Sequence, residues 1–532
     1  MTNKSFHSSG AVVGAVAIVA LVMVPVLGMA LAVLAPVPGI EPPPPPTWSE
    51  LMPLFGRTLG LGLVVGTVAL ALGSWLAWVE QRAQWFPVRW LALLTVLPLA
   101  VPSYLMATIL REAMAPAGWL GAILGTEGRF TGFWPAALTL VLATTPYVQL
   151  LVGASLRRLP IAQEEAARSL GASPWRRFKI LIFPHLRPTW AFALVLVSLY
   201  TISDFGAVAV LNTEVLTWEL YKSYNNYDIP GAVWFGFGLM ALVVPLLALV
   251  RLLHGQQRVE RGSSGQRAAV RRRLPLAART ATLFLQLAVI GVGVVLPLVA
   301  LIGWVIDGVR AGGDSFSPIG EELWDSLVFA VLGSSVALVL AMVVAWAAVR
   351  HLRRPWWLEN AAYLTSSLPG VLVAFGIVQM VVILKRHVPV PWGPSTIWSA
   401  LEGVGVMVVL GYSMRFLAEG YAALKPALLR LDPRHEESAR SLGAGPWRRF
   451  WKVTLPSLAP GMGAAYVLLF LAIVKELPIT MMLIPTGHTT LAYRIFDAQN
   501  EGLLPEIGLA GLVLLSLALS VQVLLLRWRR HV

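Results

Sequence analysis

The chain reads as an all-α membrane protein of about twelve transmembrane helices in two tandem six-helix repeats, a fold class that three observations predict. Of its 532 residues 57% are hydrophobic and only 13% charged, with 21 Trp, a composition outside that of soluble domains. Apolar runs recur along the whole length, each able to supply the roughly 20 helical residues that cross a bilayer. A polar stretch from Glu164 to Pro188 returns at Glu436 to Pro460, identical at 16 of 25 positions and offset by 272 residues without an insertion. One duplicated unit therefore built the protein.

The first apolar run, 11–36, follows Lys4 and is longer than the roughly 7–15 residues of a signal-peptide core, so it reads as a retained helix with a cytoplasmic N-terminus. Pro42 to Pro46 reads as a stiff, extended external spacer. Further runs lie near 57–79, 90–110, 133–156, 189–211 and 233–253. The segments between them alternate: 80–89 and 157–188 carry Arg, whereas 111–132 and 212–232 are rich in Gly, Trp, Tyr and Asn. That alternation is a six-helix topology under the positive-inside rule. Residues 254–280, with Arg258, Arg261, Arg267 and Arg271 to Arg273 set among Gly and Ser, form a flexible basic linker. The second half repeats the plan near 281–306, 326–349, 358–384, 402–425, 460–484 and 506–527.

The repeats are thus 1–253 and 281–532, with polar loops at 157–188 and 426–459. Six is even, so both copies enter the membrane alike and both loops share one face, as in parallel repeats about an axis along the membrane normal. Of 41 Lys and Arg, 31 fall in or beside segments so placed in the cytoplasm, Arg350, Arg353, Arg354, Arg527, Arg529 and Arg530 among them. The net charge of +14 then needs no nucleic acid, and no nucleic-acid-binding motif is present.

Each polar loop has its own local code. Glu164 and Arg168, like Glu436 and Arg440, stand at i and i+4 with the acid first, the favourable order on a helix. Gly171 and Gly443 follow where a left-handed C-terminal cap belongs. Ser173-Pro174 and Gly445-Pro446 read as an N-cap and a first helical residue. The expected unit is helix, tight turn, second helix, ending at Pro184 or Pro456.

At these residues the chain resembles the membrane subunits of binding-protein-dependent ABC importers, whose cytoplasmic loop reads Glu-Ala-Ala, three residues, Gly, nine residues, Ile, one residue, Leu-Pro. The counterparts are Glu165-Ala166-Ala167, Gly171, Leu181 and Phe183-Pro184, then Glu437-Ser438-Ala439, Gly443, Val453 and Leu455-Pro456. The resemblance implies a type I importer permease whose loops, with Glu164 and Glu436 at their heads, dock on two copies of a separate ATP-hydrolysing subunit. Lys475-Glu476-Leu477-Pro478, Pro485-Thr486-Gly487 and Thr490-Leu491-Ala492 are similar to stretches of the fused two-repeat ferric-iron permeases, which implies ferric iron handed over by a periplasmic binding protein at the inner membrane.

The rest of the chain limits the chemistry. Without cysteine there is no disulfide, thiolate metal site or thiol nucleophile, and the eight His lack metal-ligand spacing. None of the seven Lys follows Gly, so the phosphate-binding G-x-x-x-x-G-K-[ST] loop is absent; if ATP drives this protein, another chain hydrolyses it. The chain is therefore expected to be a transport subunit without an enzymatic reaction or a cofactor of its own. Inside the spans, the 272-residue offset pairs Asp204 with Glu476, and charged residues there are costly and default to function. A hard cation prefers carboxylate oxygen, so both are candidates for the translocation path, facing each other across the pseudo-twofold axis. The bland alternative makes Glu476 the partner of Lys475 or Arg415 and Asp204 a helix cap. Tyr221, Tyr224, Tyr227 and Asp228 read as external packing or a binding-protein contact. The same architecture also suits thiamine, a polyamine or an oxyanion as cargo; an ion-coupled secondary transporter would leave the twin loops unexplained.

Overall fold

The computed structural model describes residues 4–34, 45–84, 91–92, 94–159, 161–254, 275–312, 318–352, 355–387 and 403–531; most of the expected linker lies outside them. Among the described residues nine helices are long and apolar enough to cross a membrane: Val12–Ala32, Trp48–Arg82, Phe133–Arg157, Pro174–Ser203, Ile229–Val250, Leu276–Arg310, Gly320–His351, Pro446–Ile473 and Leu504–Val521. Each matches one expected run.

The other three expected runs are interrupted, for local reasons. In 90–110 a 3₁₀ turn at Leu97–Ala100 leads to an extended Val101-Pro102 before helix Ser103–Met114, since a residue preceding proline is pushed out of the helical region. In 358–384 the helix Trp356–Ser367 stops before Pro369, and Gly370–His387 begins beyond it. In 402–425 the helices Val406–Arg415 and Leu417–Arg430 meet at Phe416 (φ −94°, ψ 8°).

The chain forms two compact units that are not its sequence halves. One comprises Pro46–Glu219 and Phe237–Ser315. In it Trp48–Arg82 runs along Phe133–Arg157 and Phe183–Ser203, with small residues at the contact: a Cβ on Gly73 would lie 2.6 Å from that of Val148, and Ser198 Oγ donates to Gly62 O at 3.0 Å. Without a hydrophobic drive between helices in lipid, such close approach supplies the packing. Helix Leu276–Ile290, which opens the second repeat in sequence, joins this unit, where Trp75 Nε1 donates to Thr282 Oγ1 at 3.2 Å.

The other unit comprises Met1–Pro45, Leu220–Gly236 and Phe316–Val532. Here the chain's first apolar segment packs against second-half helices: Val24–Leu34 lies on Gly370–His387, where a Cβ on Gly28 would come 2.1 Å from Gly376 O. Gly320–Trp346 packs on Val406–Arg430 and Leu455–Ile473. In both units, then, the leading helix of one repeat packs with the body of the other.

Candidate functional site

The two repeated loops fold alike. The first is the helix Ile161–Ser169, a turn, and the four-residue helix Pro174–Arg177. Gly171 takes φ +76°, its N–H reaches Arg168 O at 3.0 Å, and Ala172 N–H reaches Ala167 O at 3.0 Å. These are the two bonds of the Schellman motif, closed by a left-handed residue that only glycine adopts without strain. Helix Pro433–Ser441 ends identically: Gly443 has φ +79°, and Gly443 N–H and Ala444 N–H reach Arg440 O and Ala439 O, both at 3.0 Å. Ser173 caps the next helix by accepting from Arg176 N–H at 3.3 Å; Gly445 has no side chain to do so.

The second helix does not stop at the proline. Wide π turns at Phe178–Ile182 and Phe450–Thr454 carry each loop straight into its span. Pro184 and Pro456 lack an N–H, and an extra residue in the turn absorbs the break that a proline otherwise makes.

The doubled acids of each loop divide their work. Glu164 binds Arg82, in the last turn of Trp48–Arg82, at 2.6 Å, and both side chains are largely buried. Glu436 lies 3.6 Å from Arg350, at the end of the corresponding helix in the other unit, and also accepts from Thr454 Oγ1 at 3.1 Å. Glu165 and Glu437 are exposed, with Ala166, Gly171, Gly443, Pro184 and Pro456, while Ala167 and Ala439 are half-buried. Leu170 is 86% and Leu442 87% exposed, Trp175 71% and Trp447 73%. Each polar loop thus presents a matching Leu, Trp and carboxylate outward, an apolar patch of the kind that marks an interaction surface. The i, i+4 spacing of the loop acids marks neither this outward face nor either Trp.

Asp204 and Glu476 belong to different units, and each stands in a helix break rather than within a continuous span. Asp204 follows the helix Phe183–Ser203 and caps Gly206–Val210, with Oδ1 accepting from Ala207 N–H at 2.9 Å and Oδ2 from Ser103 Oγ at 2.6 Å. Glu476 lies between Leu455–Ile473 and Pro478–Leu483, buried, with Oε2 3.4 Å from Arg415 Nε. Among the described residues Glu476 Oε1 and Arg415 Nη1 have no hydrogen-bond partner. Both atoms crowd Gly370, where a Cβ would stand 2.6 and 2.5 Å away. Glu419, four residues after Arg415, is exposed and within electrostatic reach of both Arg415 and Glu476. Its i, i+4 spacing from Arg415 inside an apolar run was the available signal, and it was missed. Among the described residues no three His, Asp or Glu are gathered as a metal would need.

Of the three tyrosines, Tyr221 and Tyr224 pack. Tyr224 meets Phe375 edge-on at 5.8 Å, and burial pushes the phenols of Tyr221 and Tyr224 above their ordinary range. Tyr227 is 90% exposed with φ +62°, and Asp228 caps Gly231 N–H at 3.0 Å.

Repeated loops between apolar helices define a multi-pass membrane protein built from two repeats. Residues 69–258 and 337–532 match the family described as binding-protein-dependent transport system inner membrane component, and the chain belongs to that family. It is 26% identical over 457 residues to the Fe(3+)-transport system permease protein FbpB 2 of Haemophilus influenzae, covering 84% of both chains. It is 21% identical over 487 residues to the ferric transport system permease protein FbpB of Actinobacillus pleuropneumoniae, covering 86% of this chain and 68% of that one. A shorter relative, the putative 2-aminoethylphosphonate transport system permease protein PhnV of Salmonella typhimurium, is 30% identical over 209 residues, covering 38% of this chain and 74% of the relative.

Proposed function

We propose that the chain forms the translocation path of an ATP-driven importer, moving ferric iron delivered by a periplasmic binding protein across the inner membrane. Its loops and both termini face the cytoplasm, and two copies of a separate ATPase dock on the loops and hydrolyse ATP, leaving this chain without a cofactor. The observation that carries the reading is the twin loop: two Schellman turns with Leu170 and Trp175, and Leu442 and Trp447, turned outward beside Glu165 and Glu437. Paired, identical docking surfaces suit a partner that binds as a dimer. The similarity to two ferric permeases, over 84% and 86% of this chain, supports iron as cargo. In the path, Glu476 with Glu419, and Asp204 with Ser103, offer the oxygen a hard cation prefers.

A second cargo reading, an oxyanion, has its own support in the phosphonate relative and in the Arg415 guanidinium beside Glu476. Reconstitution in vesicles with an ATPase and binding protein encoded beside it separates the two. ATP-dependent uptake of radiolabelled ferric iron is the expected result. Uptake of phosphonate instead would replace the cargo, and uptake driven by an ion gradient without the ATPase would overturn the class.

A further inference from the structure

Beneath the first loop lies a partly open cavity of about 390 Å³, lined by Ser74, Trp75, Trp78 and Arg82 of one span, by Glu164, Phe178 and Ile182 of the loop segment, and by Trp190 of the span that follows. Its walls are mostly apolar and aromatic, with Trp75 and Trp78 stacked at 5.6 Å and Trp190 set edge-on to Phe183 at 5.7 Å. Its residues nonetheless carry an excess of hydrogen-bonding groups. Among the described residues Ser74 Oγ, Trp190 Nε1 and the Nε and Nη2 of Arg82 are buried and have no partner. Arg82 is only 5% exposed, and its Nη1 is already spent on Glu164. Buried donors left unpaired cost about 1–3 kcal/mol each, so four around one cavity are an argument for an occupant that accepts hydrogen bonds.

We propose that this cavity binds one anionic phospholipid, the phosphodiester accepting from Arg82 Nε and Nη2, Trp190 Nε1 and Ser74 Oγ, and the upper acyl chain lying on Trp75, Trp78 and Phe178. A guanidinium has five donors in a planar fork, so Arg82 holds Glu164 and a phosphate oxygen at once. The position selects a lipid over a free anion: Arg82 ends one membrane span and the loop residues begin another, the depth at which headgroups sit and at which Trp is favoured. The bound lipid braces the loop, since it shares Arg82 with Glu164 and rests on the π turn at Phe178. Which leaflet supplies it rests on the loop orientation proposed above; the binding itself does not.

The second copy is built differently at the same place. Arg350 lies over the Trp346 ring at 5.8 Å, Trp346 meets Phe450 at 6.1 Å, and Thr454 rather than Ile182 faces the loop acid. Met462 stands where the first copy has Trp190. One lipid per chain is therefore expected, held by the first copy.

The test is native mass spectrometry of the full chain released from nanodiscs of phosphatidylcholine with and without phosphatidylglycerol. Wild type retains one phosphatidylglycerol. Trp190→Phe keeps an aromatic ring, though a smaller one, and removes the N–H, and weakens retention at least about five-fold, the worth of one hydrogen bond. Ser74→Leu fills the cavity and abolishes it. Equal retention in wild type and both variants, retention of phosphatidylcholine alone, or displacement of the lipid by inorganic phosphate would each overturn the proposal. None of these readouts requires transport, so a failed cargo or ATPase assignment leaves them interpretable.

Discussion

Asp204 and Glu476 hold the same place in the duplicated sequence, two residues before Gly206 and Pro478, where a short helix restarts after a break. Their surroundings differ in kind. Asp204 is answered by neutral donors, a hydroxyl and a backbone N–H. Glu476 also meets a backbone N–H, that of Ile479 at the position matching Ala207, but is answered in addition by a guanidinium and keeps one oxygen unpaired beside Gly370. At the 272-residue offset the first half has Ala143, Tyr147 and Ser203 where the second has Arg415, Glu419 and Lys475. Duplication kept the broken backbone in both halves and concentrated ionic charge in one. A broken span is the irregular backbone that membranes tolerate where it is enclosed by protein or lines a cavity. The contrast therefore teaches that the duplicated carboxylates are not equivalent: Glu476 stands in an ion pair, and Asp204 caps a helix.

The largest effect that tests this asymmetry is removal of Arg415. Arg415→Ala leaves Glu476 as an uncompensated buried charge, a loss of about 3–5 kcal/mol. The amount of assembled protein and its thermal stability should fall sharply, and adding Glu476→Gln should recover much of the loss. At Ala143, the matching site, no substitution meets a comparable ion pair. Stability unchanged in Arg415→Ala would remove the ion pair from the comparison.

Next in size are Gly171→Val and Gly443→Val. The left-handed region costs an L-residue roughly 1–2 kcal/mol, and a β-branched side chain more. Neither glycine has a neighbour within 4 Å of a Cβ, so the strain is conformational and not a clash. Each variant should keep its spans and lose stimulation of the ATPase, measured with purified components. Full stimulation in Gly443→Val would show that the turn is dispensable for docking.

How much of this was legible in the sequence follows from how local each cause is. Gly171, Gly443 and Ser173 lie within a few residues of the bonds they make, so the helix–turn–helix unit could be written down from spacing, whereas the outward Leu and Trp make no such local bond to announce them. Glu164 with Arg82 is a contact across 82 positions, and nothing in the i, i+4 pattern with Arg168 announces it. The same holds for the leading helices: periodicity marks an apolar run but not which repeat it packs on, which Gly28 against Gly376 and Trp75 against Thr282 decide. The breaks at Pro102 and Pro369 were visible as prolines and were overridden by hydropathy, because a window averaged over a span ignores where one N–H is missing. The blander alternative for the two carboxylates, a cap at Asp204 and an Arg415 partner for Glu476, describes their observed contacts.

Smaller effects distinguish the two carboxylates directly. Asp204→Asn keeps an oxygen for Ala207 N–H and an amide able to bond Ser103, so folded protein should change by no more than about 1 kcal/mol. Glu476→Gln strips Arg415 of its counter-charge and should cost more. If both line the path, iron uptake per assembled complex falls in both variants, and more in Glu476→Gln. Equal stability losses, or unchanged uptake in the double variant, would erase the distinction.

The smallest expected change in stability comes from the exposed loop acids, and it isolates docking from folding. Glu165 and Glu437 are exposed, and surface substitutions of this kind usually stay within about 0.5 kcal/mol. Glu164 and Glu436 are instead tied to Arg82 and Arg350, so their loss releases the loop from its span. Glu165→Ala with Glu437→Ala should leave thermal unfolding of the purified chain unchanged and abolish ATP-dependent uptake. Glu164→Ala with Glu436→Ala should lower both. The first pair acts at the proposed docking surface and the second on the loop's attachment, so the two double variants separate when stability and uptake are plotted together. Normal uptake in Glu165→Ala with Glu437→Ala would mean that the outward Leu and Trp carry the docking without the acids.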